Sequence, residues 1–271
     1  MISETFKCNK TNSRYAVSST KSKINYTPSY FGFKGLNGDG SGVKICIIDT
    51  GYPRHSNIKI KASNIIDFTG SKNAALDVHG HATGVVAIIK ASGSNMTGLA
   101  PKSEIYYAKG LGDEGEGSHG SVQAALLYAI VKRVDIIVMS FGSETKHPMF
   151  HDVIKKANKE GICMFASAGR SKKTTSDSDY PARFPEIMSV GHTTGNIPKT
   201  GKKGVQHIFF PSASLQTAYL DNRYIKMSGT SISAPVAAGL AAIILQKSIE
   251  KGSRLSPKEV YDKLMSLCRG M

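Results

Sequence analysis

The sequence predicts an α/β protein with a doubly wound, mostly parallel sheet carrying helices on both faces. Three observations lead there. Apolar runs of strand length recur along the 271 residues. Stretches rich in Ala and aliphatics, suited to buried helices, lie between them. Most of the runs end on small or polar residues, where open parallel sheets place their functional groups.

The elements follow in order. Residues 1–24 are polar, basic and aperiodic; they read as an N-terminal tail, either loose or lying over the body. Residues 25–271 form one folded domain. A Gly-Asp-Gly-Ser-Gly turn at 38–42 leads into a buried strand over 43–48 that ends at Asp49-Thr50-Gly51. Residues 77–89 change at His81 to the small, apolar pattern of a helix packed on a sheet. A strand over 104–108 leads through a glycine-rich edge, Gly115-Glu116-Gly117, to a helix over 121–132. Strands over 134–142, 162–169, 186–191 and 206–210, with a helix over 149–159, continue the alternation. From Ser231 an Ala-rich run reads as a buried helix with a serine at its positive end, among backbone N–H groups that lack helical partners. The last helix starts at Ser256-Pro257 with Glu259 in the capping-box position.

Composition narrows the function. The net charge is +15, spread along the chain, but no recognition motif or aromatic interleaving accompanies it, so no specific nucleic-acid partner is expected. Cys8, Cys46, Cys163 and Cys268 have neither zinc nor disulfide-framework spacing, and Cys46 and Cys163 fall in core-like runs. The N-terminus lacks the apolar segment of a secretory signal, and no window reads as the roughly 18 apolar residues of a membrane span. A cytoplasmic location without membrane attachment is the expectation.

Several motifs carry more than one meaning. Asp49-Thr50-Gly51 is also the short signature of aspartic proteases, which need a second copy or a dimer in an all-β fold. His79 and His81 could begin a metal site, but no further cluster completes a first coordination sphere. Residues 115–120 spell G-x-G-x-x-G. Asp113, Glu114 and Glu116 would repel a pyrophosphate there, so an edge that pairs with a peptide backbone fits better.

Taken together, Ile-Ile-Asp49-Thr-Gly, Gly-His81-Ala-Thr and Gly-Thr-Ser231-Ile-Ser-Ala-Pro resemble, in that order, the Asp, His and Ser motifs of the subtilisin-like serine proteases. The resemblance runs from about Lys34 to the C-terminus and includes Gly98-Leu-Ala-Pro101, Met139-Ser140-Phe141-Gly142 and Tyr180-Pro-Ala-Arg-Phe-Pro185. It implies a subtilisin-like fold and a serine endopeptidase acting on peptides or proteins. Ser231 would be the nucleophile, His81 the base and Asp49 its orienting acid, with His79 a neighbour only. It also implies substrate contacts at Gly115, Glu116, Gly117, Ser140, Phe141, Gly142, Ala168 and Gly169, and an oxyanion donor in the Ser231 N–H.

The departures set further expectations. Arg170 replaces the family's oxyanion asparagine, which makes a catalytically impaired, peptide- or partner-binding member the alternative reading. The family's strong calcium loop looks shortened between Ala91 and Gly98, and Asn57 stands for a ligand Asp, so no cofactor or metal is expected. The short N-terminal extension resembles the intracellular branch, in which such a segment can cover the active site. Asp113, Glu114 and Glu116 should favour Lys or Arg a few residues before the scissile bond.

Overall fold

The computed structural model describes residues 5–8, 16–17, 23–169, 178–193, 199–200, 207–211 and 214–269. Strands are β1 (Thr5–Lys7), β2 (Ala16–Val17), β3 (Ile24–Asn25), β4 (Lys44–Asp49), β5 (Ile65–Asp67), β6 (Met96–Thr97), β7 (Glu104–Lys109), β8 (Glu116–Ser118), β9 (Ile136–Met139), β10 (Cys163–Ser167), β11 (Met188–Thr193), β12 (Lys199–Thr200), β13 (His207–Pro211), β14 (Leu215–Ala218) and β15 (Tyr224–Met227). Helices are α1 (His81–Lys90), α2 (His119–Val131), α3 (Pro148–Lys159), α4 (Thr230–Ile249) and α5 (Pro257–Arg269).

The main sheet runs β12-β13-β11-β10-β9-β4-β7-β5, parallel throughout except for the antiparallel edge strand β12. Strand alternation divides its core in two. Ile45 and Ile47 of β4 join the cluster that includes α1, α4 and α5, whereas Cys46 and Ile48 join the one that includes α2 and α3. Helices therefore cover both faces, as the alternation of apolar runs predicts. At the start of α5 the Ser256 hydroxyl and backbone N–H both donate to Glu259, the reciprocal cap the sequence pattern called for.

Two expectations need revision. By length and composition α4 is apolar enough to cross a membrane, contrary to the reading that no window is; 89% of that window is buried inside the protein, so it is the core helix of an α/β sheet. Within the stretch read as a tail, β1 pairs with β8, β2 with β15 and the last residue, Ile24, begins β3, which pairs with β6. These strands escape a periodicity search because each is two or three residues long and borrows its ladder from a distant edge.

His207 opens β13 and is 1% exposed, and neither ring nitrogen has a hydrogen-bond partner among the described residues. Burial holds it neutral and lowers its pKa from the ordinary 6.5 to about 4. The unfolded chain takes up this proton first, so stability is present above 6.5 and is lost as pH falls through that window toward 4. The loss should amount to roughly 3 kcal/mol. Urea unfolding at stepped pH should show this decline, and His207→Leu should flatten it; an equal slope in both proteins would refute the assignment.

Candidate active site

Asp49 ends β4 in the middle of the sheet with no solvent exposure. Its Oδ1 accepts the Thr50 N–H at 2.8 Å and lies 2.8 Å from His81 Nδ1. A carboxylate only accepts, so Nδ1 carries the proton, and Nε2 is left with its lone pair. Nε2 is buried without a hydrogen-bond partner among the described residues.

His81 is the first residue of α1, and Asp77 holds that helix start. Its Oδ1 accepts from the N–H groups of His79 and Gly80 at 3.1 and 2.9 Å and from the Thr50 hydroxyl at 2.9 Å. Its Oδ2 accepts from the Thr83 N–H and hydroxyl at 2.8 and 2.6 Å. Thr50 in turn accepts the Ala82 N–H at 3.2 Å. The strand end bearing Asp49 and the helix bearing His81 are thus locked together by groups otherwise unpaired at a helix start. The sequence reading missed this role of Asp77; an acid six residues before a threonine across a helix start was its only signal.

Ser231 is the second residue of α4, after Gly229 with φ of 103°, a backbone conformation suited to glycine. Its N–H belongs to the first-turn donors that the helix leaves unpaired. The hydroxyl donates to the Ser140 carbonyl at 3.1 Å, and the Ser140 hydroxyl donates to the Ser231 carbonyl at 2.8 Å. The structure therefore brings Asp49 and His81 together while the Ser231 hydroxyl is turned to Ser140.

The glycine-rich edge is β8, and the chain's own N-terminus lies on it. β1 pairs antiparallel, with Phe6 opposite Gly117 and Lys7 opposite Glu116. On its other side the Lys7 N–H donates to Gly142 O at 2.9 Å and the Gly142 N–H to Lys7 O at 3.0 Å; the Cys8 N–H donates to Gly115 O at 3.0 Å. An added Cβ on Gly117 would meet Gly110 O at 2.2 Å, so only glycine lets this edge pack so closely. Phe6 is 0% exposed, its ring 5.3 Å from Phe141 and 4.7 Å from His119. Lys7 and Glu116 form an ion pair at 2.9 Å. Beyond Cys8 a cavity of 280 Å³ reaches Ser231 and Gly169. Ala168 accepts the Asp179 N–H at 3.1 Å, and Gly169 O accepts the Thr230 hydroxyl at 3.4 Å.

A profile of the subtilase family matches residues 40–267. The chain is 31% identical over 245 residues to the major intracellular serine protease of Bacillus subtilis, covering 83% of this chain and 76% of that one. It is 30% identical over 215 residues to subtilisin BL of Lederbergia lenta, covering 77% and 78%. Against subtilisin DY of Bacillus licheniformis it is 29% identical over 243 residues, covering 87% and 85%. The chain belongs to the subtilase family. Its enzyme class is serine endopeptidase, and its substrates are peptides or proteins.

Within this subtilase the acidic cluster differs from the expectation. Asp113 pairs at 2.6 Å with Lys109, which is fully buried and also donates to Leu76 O, and it accepts the Asn73 amide at 2.8 Å. Burial opposes its charge, but the hydrogen bonds from Lys109 and Asn73 hold the carboxyl below its usual range. Asp113 is thus committed to tying two loops together, and Glu116 is the acid that meets the bound strand. Arg170 lies outside the described residues. At Asn57 the amide nitrogen donates to the Tyr224 hydroxyl, and the backbone carbonyl accepts the Ser92 N–H at 2.7 Å. Among the described residues no three His, Cys, Asp or Glu side chains gather in a metal-binding group.

Burial is the largest influence on His81 and works against its charged form. The Asp49 carboxylate and its hydrogen bond outweigh it, with Asp77 adding, so the pKa is raised above 6.5. A base works only when neutral, hence above its pKa. The acid limb of kcat/KM should accordingly have its midpoint above pH 6.5. Asp49→Asn should move that midpoint down and cut kcat by about 10⁴, the size seen when other triads lose their acid. A pH–rate profile with the limb below 6.5 in the unmodified chain would contradict this electrostatic account.

Proposed function

We propose that the chain hydrolyses peptide bonds through an Asp49–His81–Ser231 triad and an acyl-enzyme. The observation that carries this reading is the buried Asp49–His81 pair, whose Nε2 has no hydrogen-bond partner among the described residues. The proposed reaction requires the Ser231 side chain to turn from Ser140 so that its hydroxyl meets Nε2. Ser231 Oγ then attacks the carbonyl carbon as its proton passes to His81. The oxyanion takes the Ser231 N–H. Collapse breaks the C–N bond, the leaving amine takes the proton from His81, and an ester to Ser231 remains. Water, deprotonated by His81, cleaves that ester and restores the serine. The reaction as proposed draws on no metal.

Substrate recognition follows the lane of β1. A peptide paired with Gly115–Gly117 and Gly142 places one residue opposite Glu116, where Lys or Arg is favoured by about 1 kcal/mol or less, diminishing with salt. The intracellular serine protease among its relatives supports work inside the cell, and nothing in the site calls for nucleic acid or a membrane.

A fluorophosphonate should label Ser231, and Ser231→Ala or His81→Ala should abolish the label. Labelling of another serine, or labelling that persists without His81, would sink the triad. Failure of every variant and of the unmodified chain to react would favour the impaired, peptide-binding reading.

In the same lane, residues 5–8 must leave before a peptide can pair. Burying a phenylalanine is worth about 1.5–3 kcal/mol, so Phe6→Asp should raise kcat/KM on an extended peptide by roughly tenfold or more. Steady-state kinetics at matched protein concentration would check this; unchanged rates would mean that β1 does not compete with substrate.

A further inference from the structure

At the other end of α4, about 25 Å along the helix from Ser231, lies a cavity of 320 Å³. Its lining comes from the last turns of α4, the loop that follows and one face of α5. Ile244, Lys247 and Ser248 recur at helical spacing on α4, and Lys263, Ser266 and Leu267 do so on α5. Leu36 and Leu255, which pack against the core around α4, complete the apolar part.

The charged groups of this lining are all lysines, and no acidic side chain joins them. Lys247 is committed to Glu250 at 2.9 Å. Lys251 and Lys263 have no ion pair among the described residues. Glu259, one turn before Lys263, is held below its usual range first by its hydrogen bonds from Ser256, with Lys263 adding less. The dipole of α4 works against an anion at its C-terminus, but the last carbonyls there are already taken up. Gln246 O accepts the Glu250 N–H at 2.9 Å, and Ser248 O accepts those of Lys251 and Ser253 at 3.1 Å.

Lysine stems commonly cover apolar surface of this kind. Here they leave it open, since the cavity remains and Leu267 keeps 37% of its surface exposed. Its volume is at the small end of the range for small-molecule sites. Apolar walls together with two unpaired ammonium groups match an amphiphile of opposite charge. We propose that this cavity binds an amphiphilic anion, an acyl chain ending in a carboxylate. The chain lies against Leu36, Ile244, Leu255 and Leu267, and the carboxylate meets Lys251 and Lys263. The lining holds one guanidinium fewer than a phosphate fork needs, namely none, so the head group faces point charges. Binding here does not depend on hydrolysis at Ser231.

The test uses the full chain and decanoate below its micellar concentration, followed by calorimetry. One saturable site is expected. Decanol, with the same chain and no charge, and butyrate, with the charge and a short chain, should each bind about tenfold more weakly or less. Lys251 and Lys263 are exposed, so the double variant Lys251→Gln, Lys263→Gln should fold as the unmodified chain does and lose about tenfold in decanoate affinity. Leu267→Asp, also at an exposed position, should weaken decanoate as much. Absence of saturable decanoate binding, equal binding of decanol, or undiminished affinity in the double variant would overturn the proposal. So would adsorption to phosphatidylglycerol vesicles that needs the two lysines while free decanoate does not bind, because the face would then serve a membrane surface.

Discussion

A carboxylate with no solvent exposure, at the end of a central strand, is the constraint on which the rest of the site depends. Asp49 has one oxygen shared between Thr50 and His81, while Oδ2 is buried without a hydrogen-bond partner among the described residues. Unsatisfied buried polar atoms are few in folded proteins and tend to mark functional strain. Here two of them, Asp49 Oδ2 and His81 Nε2, sit on neighbouring residues. A proton arriving on Nε2 gives the buried carboxylate an imidazolium to face, which lowers the cost of keeping its charge from water. The Asp77 and Thr50 network then reads as the frame that keeps α1 from drifting. Without it the helix start that bears His81 would lose the hydrogen bonds that tie it to the end of β4.

The cleft solves a different problem. β8 and Gly142 present two open backbone edges facing each other, and such edges pair with whatever extended chain is available. In this structure the chain's own residues 5–8 take that place, using the same ladder that a substrate would use. Occupation of the cleft by the N-terminal strand and the proposed recognition of substrate therefore draw on the same edge. Both rest on where the glycine-rich edge sits, and a side chain at Gly117 would strike Gly110 O and displace it.

How much of this was legible beforehand depends on whether the signal was local. The strand ending at Asp49, the helix starting near His81 and the Ala-rich helix behind Ser231 each announce themselves within a dozen residues, because apolar periodicity and chain punctuation are local properties. β1 does not, since Thr5–Lys7 is a strand only because residues more than a hundred positions away offer an edge. Asp113 was misread for a related reason. Its charge is plain in the sequence, but its cancelling partner, Lys109, points inward from the end of β7 and looks like any other surface lysine until the fold is known. The apolar length of α4 is ambiguous in the same way: composition does not say whether lipid or a sheet will cover it.

Magnitudes settle which contacts hold the N-terminal strand. The Lys7–Glu116 pair is conspicuous, yet its side chains are 61% and 49% exposed, and exposed pairs contribute about 0–1 kcal/mol and weaken with salt. Phe6, sealed among Phe141, Phe150 and His119, contributes more, about 1.5–3 kcal/mol, and is indifferent to ionic strength. The backbone ladder orients the strand but exchanges hydrogen bonds with water on release, so its net share is modest. The aromatic anchor therefore dominates retention, while the backbone ladder sets register. On the proposed reading, a peptide competing for this lane would have to offset the burial of Phe6 before charge opposite Glu116 counted.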